Sequence, residues 1–342
     1  MRKKKLLIIL ISIISVIGIG YLVFNMYLDS MLNKTVTEEV DLNQIEVIED
    51  NTPKAHEVVN VMLVGADSHG GITSYHEERS DVFKIVSLDY TDKLIKLTSL
   101  DRDAVVYIPP KEEYGHFNWA YSFGGYTYSL ATINHNLDLD LTKYVSFSFA
   151  GFIDVIDILG GIDIELTQAE ANVINASSYC TKYVSEGINH LDGACALVYA
   201  RTRNIDSDFN RMDRQSNVIK AVINKVKDSS LTDILDIINK CLPYITTNLT
   251  NDEIKQYVKD ILGFNLTNIQ THTYPTNGSN DVCINKDSLG GYIIRSYSNQ
   301  VIDLHKYIYG IDDYKPTSTI YELEQDIYSK YGNFYEESAL LP

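Results

Sequence analysis

Val58-Val59-Asn60-Val61-Met62-Leu63-Val64-Gly65-Ala66-Asp67 is the stretch that decides how this chain is built. Residues 58–64 are apolar at all but one position and stop at a glycine, the pattern of a buried strand. Two further apolar runs, 82–88 and 94–100, read as strands. Asp89-Tyr90-Thr91-Asp92-Lys93 between them has the composition of a hairpin turn. If the first two strands pair, Asp67 and Asp81 flank one end of the sheet. The hairpin then returns the third strand to that same end and delivers Asp101-Arg102-Asp103 beside them. Ligand sites in α/β sheets favour such strand-end crevices.

Outward from this core, residues 144–149, 162–166, 269–274 and 281–284 are expected to be extended. Residues 126–136, 151–159, 193–199, 231–242 and 251–262 are expected to be helical. Within 215–226, Val218, Ile219, Val222, Ile223 and Val226 fall on one stripe of an amphipathic helix. Strands interleaved with helices imply a layered α/β domain around a mixed sheet. That domain is expected over 56–310, with an acidic, tyrosine-rich and loosely held tail over 311–342.

The N-terminus reads as a membrane anchor. Arg2-Lys3-Lys4-Lys5 precedes 19 uncharged residues, 6–24, close to the ~20 needed to cross a bilayer. The basic cluster keeps residues 1–5 cytoplasmic and sends the rest outside. No small-residue cleavage site follows, so an uncleaved signal anchor is favoured over a signal peptide. Residues 25–55 are polar and acidic and read as an extracellular spacer.

The formal net charge is −17, and because residues 1–5 carry +4 the exported part stands near −21. That excludes a general electrostatic hold on nucleic acid. Cys180, Cys195, Cys241 and Cys283 lack the C-x-x-C spacing of a zinc site. Outside the membrane they are available for disulfides, Cys180 with Cys195 among the pairings, and sequence alone leaves the connectivity open.

Arginine usage is the sharper signal. The chain has 21 lysines and 8 arginines, so lysine is its routine cation. Arg2 belongs to the cytoplasmic cluster and Arg295 stands alone. The other six, Arg79, Arg102, Arg201, Arg203, Arg211 and Arg214, sit in three short polar segments at the ends of apolar elements. A guanidinium grips phosphate with a planar fork and stays charged. Structural salt bridges are the bland alternative for any one of them. Asp67 and Asp81 are hard carboxylates of the kind that hold Mg²⁺ or Mn²⁺ beside phosphates. A helix beginning near Arg211 would add free N–H donors.

Residues 57–230 resemble the LytR–CpsA–Psr family. The resemblance rests on residues 60–68, Arg79-Ser80-Asp81 and Leu100-Asp101-Arg102-Asp103, then Phe117-Asn118-Trp119-Ala120-Tyr121 with Gly124-Gly125. It continues through Gly151-Phe152, Leu159-Gly160-Gly161-Ile162-Asp163, Leu191-Asp192-Gly193, residues 196–203 and Arg211-Met212-Asp213-Arg214-Gln215. It implies a three-layer α/β/α fold with a central mixed sheet, behind one transmembrane helix. It also implies a Mg²⁺-dependent phosphotransferase, with pyrophosphatase activity as a side reaction. Such an enzyme moves a phosphorylated glycopolymer, teichoic acid or capsule, from a polyprenyl pyrophosphate carrier to a peptidoglycan hydroxyl. By position, Asp67 and Asp81 would hold the metal, and Arg79, Arg102, Arg201, Arg203, Arg211 and Gln215 the pyrophosphate. Asp81, Arg102, Asp103 and Arg211 are the residues nearest the chemistry, with Asp103 one candidate base. Phe149, Phe152, Ile156, Val218 and Val222 would line an apolar tunnel for the lipid.

Three positions depart from the family pattern. His69 stands where an arginine is usual after Asp-Ser, Asp101 where a proline precedes Arg-Asp, and Trp119 where a histidine is usual. The alternative function is a non-catalytic polyprenyl-pyrophosphate-binding sensor or attenuator of wall metabolism. An adhesion or scaffold domain is a third option, supported only by the anchor and the acidic surface.

Overall fold

The structure, a computed structural model, describes residues 25–45, 54–66, 80–227, 229–284 and 291–332, but not the side chains of Ala66, Asp81, Leu231, Cys283 and Ile284. Its strands are Val36–Thr37 (β1), Val58–Ala66 (β2), Ser80–Asp89 (β3), Leu94–Leu100 (β4), Val105–Ile108 (β5), Glu113–His116 (β6) and Tyr144–Ser148 (β7). Ile162–Leu166 (β8), Gly187–Leu191 (β9), Ile245–Thr247 (β10), Gln270–Tyr274 (β11), Val282–Ile284 (β12) and Tyr292–Ile294 (β13) follow. A helix over 25–32 (α1) precedes Phe117–Leu137 (α2), Phe149–Ile158 (α3), Gln168–Ala176 (α4), Gly193–Arg201 (α5) and Asp208–Val226 (α6). Leu231–Cys241 (α7), Asn251–Ile261 (α8), Tyr297–Tyr309 (α9) and Ser318–Tyr331 (α10) complete the set.

Seven strands form the central mixed sheet, in the order β1-β10-β7-β2-β3-β4-β11. β2 pairs antiparallel with β3 and β3 with β4, as the hairpin chemistry of 89–93 requires. β7 runs parallel to β2, with Ser148 opposite Ala66, and β11 runs parallel to β4, with Tyr274 opposite Leu100. The last residues of β2, β4, β7 and β11 and the first of β3 therefore share one edge. Pleating divides the strand side chains between two faces. Met62, Val64, Phe83 and Ile85 pack with α2, α9 and α10 in the main core. Leu88, Ile95 and Leu97 meet Ile219 and Ile223 of α6 and Tyr257 and Ile261 of α8 on the other face. The result is three layers, α/β/α.

Outside the sheet, α3, α4, α5 and the antiparallel β8–β9 pair build a second core against α6. The Cys180–Cys195 disulfide closes it, with a Cα–Cα distance of 4.8 Å and a sequence separation of 15. Closing a loop of that length contributes roughly 3 kcal/mol in the chain-entropy model.

Two expectations fail. Residues 25–45 are not a free spacer: Met31 and Leu32 are buried against Leu242, β1 is an edge strand of the central sheet, and Ile45 enters the main core. Nor is the tail loose over its described part, 311–332, because Ile320, Leu323 and Ile327 of α10 are buried in the main core. Apolar residues at helical spacing inside an acidic composition suffice for docking. Asp138, at the C-terminus of α2, fastens the approach by accepting from Thr317 N–H (2.8 Å) and Thr317 Oγ1 (2.7 Å). Among the described residues no helix is long and apolar enough to cross a membrane, and the expected anchor, 6–24, lies outside them.

Candidate anion and lipid site at the strand ends

A cavity of about 430 Å³ opens on the α6 face of the sheet at the shared strand-end edge. Its floor is Leu63 of β2 with Val82 and Lys84 of β3. Phe147 leads into α3, where Ser148 caps the helix by accepting from Gly151 N–H (3.0 Å) and so delivers Phe149 and Phe152 to the wall. α5 lies close on α3, because Gly193 has no side chain. A Cβ there would meet the Ile153 carbonyl oxygen at 2.2 Å. This contact brings the C-terminal turn of α5, with Leu197, Ala200 and Arg201, over Phe149. The Arg201 guanidinium lies 4.4 Å from the Phe149 ring centroid, a cation–π contact.

α6 supplies the opposite wall. Arg211, Gln215, Val218 and Ile219 follow helical spacing and present one stripe that changes from cationic to apolar. Arg102, just past β4, and Arg203, in the loop before α6, complete the rim. Four arginines thus meet at one mouth: Arg102, Arg201, Arg203 and Arg211.

The deeper wall is apolar, and a second, almost wholly apolar cavity of about 320 Å³ touches the first at Leu63. Val61, Val86, Leu88 and Val145 of the sheet form its floor, and Ile238, Leu242, Ile254 and Ile261 of the helical layer cover it.

Lys84 was missed in the sequence. It is fully buried, and its Nζ donates to Ser99 Oγ (2.5 Å), Ser216 Oγ (2.9 Å) and the Met212 carbonyl (3.2 Å). Burial drives its pKa down to about 7, a fall that Asp213 partly offsets. A charged residue at the centre of the apolar run 82–88 was the available signal.

Behind the arginines lies an acidic group. Asp101, Asp103 and Asp208 each offer a carboxylate oxygen, all within 4.8 Å of one another. Arg102 Nε donates to Asp103 Oδ2 (3.3 Å), and Arg211 Nη1 stands 3.1 Å from Asp208 Oδ1. Asp101 is fully buried, and burial together with the like charges of Asp103 and Asp208 raises its carboxyl to about 7. The Tyr292 hydroxyl is shifted upward too, first by burial and then by these same three carboxylates, so β13 faces the group as well. Gly291 permits that approach: its φ is +89°, and a Cβ would stand 2.1 Å from the Asp103 carbonyl oxygen.

Of the expected site residues, Arg102, Arg201, Arg203, Arg211, Gln215, Phe149, Phe152 and Val218 come together around the cavity, with Asp103 immediately behind Arg102. Asp67 and Arg79 lie outside the described residues. Asp81 is described only as backbone, next to Ser80, whose partner in the sheet is Ala66. Two tunnel residues are misplaced. Ile156 and Val222 sit one turn beyond the cavity on α3 and α6 and pack into the second core. Arg214 also leaves the anion group. It is buried and forked onto Asp206 (2.7 and 2.7 Å), with Glu170 Oε1 at 3.3 Å and the Thr202 carbonyl at 2.8 Å. Arg214 is a structural tie that holds the loop carrying Arg203, the bland alternative realised.

Known proteins are similar to this chain in sequence and fold. The polyisoprenyl-teichoic acid–peptidoglycan teichoic acid transferase TagU of Bacillus mycoides (strain KBAB4) is 31% identical over 264 residues, 74% of this chain and 82% of that protein. The crystal structure of TagV from B. subtilis superposes with a TM-score of 0.61 at 27% identity, covering 76% of this chain and 99% of that one. YwtF (TagT), a LytR-CPS2A-psr family protein solved with bound octaprenyl pyrophosphate lipid, has a TM-score of 0.60 at 21% identity, which speaks to fold alone. It covers 80% of this chain and 100% of that one. The LytR_cpsA_psr family model matches residues 22–301, and with the fold and the arginine-rimmed cavity in agreement, the chain belongs to the LytR_cpsA_psr family.

Proposed function

We propose that this protein transfers a phosphorylated glycopolymer from a polyprenyl pyrophosphate carrier to a hydroxyl of the peptidoglycan cell wall. One observation carries the reading: four arginines rim a cavity whose wall becomes apolar within two turns of α6 and borders a second apolar cavity at Leu63. An anionic head on a long hydrocarbon fits both halves, because guanidiniums pair with phosphate oxygens and apolar walls exclude water from the chain. The teichoic acid transferase named among the relatives supports the same substrate class.

In this reading the acceptor oxygen attacks the glycan-side phosphorus. An O–P bond forms, the bridging P–O–P bond breaks, polyprenyl monophosphate leaves, and the acceptor proton passes to a base. Arg102, Arg201, Arg203 and Arg211 hold the pyrophosphate and offset charge that builds on its oxygens. Gln215 donates beside Arg211 from the same stripe. Phe149, Phe152 and Val218 keep the first isoprene units out of water. Asp67 and Asp81 would hold Mg²⁺, which supplies charge neutralisation at the phosphates. Support for that pair comes from the paired ends of β2 and β3: Ala66, which Asp67 follows in sequence, pairs with Ser80, the neighbour of Asp81. Residues 6–24 anchor the chain, with the domain on the outer face of the membrane.

The test is release of polyprenyl monophosphate by the full chain in detergent, given a polyprenyl-pyrophosphoryl glycan and Mg²⁺. Asp81→Ala should abolish it, and undiminished activity in that variant would remove the metal assignment. Tight lipid binding without turnover under any divalent metal would favour the sensor role instead.

A further inference from the structure

We propose that Asp101, Asp103 and Asp208 form a divalent-cation site of their own, separate from the Asp67–Asp81 pair. Asp101 directly follows β4 and is fully buried. Its Oδ1 accepts from Asp103 N–H (2.9 Å), and its Oδ2, also buried, has no hydrogen-bond partner. An unpartnered buried carboxylate oxygen is costly unless something binds it.

The surroundings favour a cation. Oxygens of all three carboxylates lie within 4.8 Å of one another, near enough to share one hard ion. Among the described residues, two guanidiniums pair with the group, Arg102 at 3.3 Å from Asp103 and Arg211 at 3.1 Å from Asp208, and neither reaches the free Asp101 oxygen. Two more observations fit a group awaiting a ligand. Arg211 is 2% exposed, yet its Nε and Nη1 lack a properly directed acceptor. The backbone behind Asp103 is also held rigidly, since the Asp103 carbonyl accepts from Tyr292 N–H at 3.1 Å. Oxygen-only ligands select Mg²⁺ or Mn²⁺ over softer metals. Asp101 occupies a position where the family commonly has proline, so this site would belong to chains with the carboxylate rather than to the whole family.

The site stands independently of the transferase reading. Only its consequence rests on that reading: a cation that takes the Asp103 and Asp208 oxygens would turn Arg102 and Arg211 towards the pyrophosphate.

Mn²⁺ alone is the probe, with free Mn²⁺ followed by electron paramagnetic resonance as it is titrated into the full chain in detergent. Asp81→Ala should retain a Mn²⁺ site, and adding Asp101→Asn should weaken it at least roughly tenfold, the lower end of what outer partners of a metal contribute. Asp208→Asn should weaken the same site, with melting in chelator confirming that each variant is folded. Unchanged Mn²⁺ binding in Asp101→Asn would overturn the proposal, as would complete loss in Asp81→Ala alone. If Asp81→Ala has no effect while Asp101→Asn removes binding, this site holds and the Asp67–Asp81 assignment falls.

Discussion

The central sheet carries a buried cluster of charges at each end, and the two clusters are finished differently. At the hairpin end, Asp89 is fully buried and satisfied. Its Oδ1 accepts from Thr91 N–H and Asp92 N–H (3.0 Å each), and its Oδ2 meets Lys96 Nζ at 2.8 Å and His56 Nδ1 at 2.7 Å. Lys96 in turn donates to the carbonyls of Tyr307 (2.9 Å) and Ile308 (3.0 Å), which ties α9 to the sheet. At the other end, Asp101 Oδ2 and Arg211 Nε are equally buried and lack partners. The first cluster closes on itself, whereas the atoms left over in the second fit the cation site proposed above. His56, Asp89 and Asp92 also gather within 4.8 Å, but Lys96 and the turn amides already use the oxygens there.

Substitutions should separate the two ends. The largest effect is expected at the hairpin: Lys96→Ala leaves Asp89 short of its buried counter-ion and should cost about 3–5 kcal/mol in urea unfolding. At the cavity, Arg211→Ala should lower transfer by roughly a hundredfold or more, as for loss of one donor to a developing oxyanion. Its stability should fall by less than that of Lys96→Ala, because its ion-pair partner Asp208 is partly exposed whereas Asp89 is fully buried. A stability loss matching that of Lys96→Ala would erase the distinction between the ends.

A smaller effect is expected from Lys84, through pH. Its folded pKa, about 7, lies below the ordinary lysine value of 10.5, so between these values the unfolded chain binds the extra proton. Stability should therefore rise with pH from about 7 towards 10.5, by at most roughly 1.4 kcal/mol per unit. Urea unfolding at pH 7 and pH 9 checks this, and Lys84→Met should flatten the slope. The same slope in both proteins would mean that Lys84 stays charged in the fold.

Much of this was legible in the order of residues. The run 58–64, the turn at 89–93 and the run 94–100 led to a paired β2–β3–β4 unit with Asp101-Arg102-Asp103 at the right edge. Local signals suffice there because each strand is a neighbour of the next. The long α9 went unread, since its buried polar residues, Gln300 and His305, interrupt the apolar stripe. His305 is accommodated by the Leu137 carbonyl, 2.9 Å away and 168 positions earlier, and by stacking on the Tyr314 ring. The tail reads as loose for a related reason: acidic composition hides three apolar contacts at helical spacing.

The sequence by itself determined that arginines would gather at strand and helix ends, and that the strands would make a covered mixed sheet. Those properties follow from residue type and from periods of 2 and 3.6, which are local. Only the tertiary structure decided which arginine does what. Arg211 and Arg214 lie three residues apart on one helix and are both buried, yet one faces the cavity and the other is forked onto Asp206. It also turned Lys84 into the cavity floor, passed Ile156 and Val222 to the second core, and joined Cys180 to Cys195. A side chain's direction along its own element is a matter of backbone geometry, but what it meets there depends on elements distant in sequence, and packing alone supplies them.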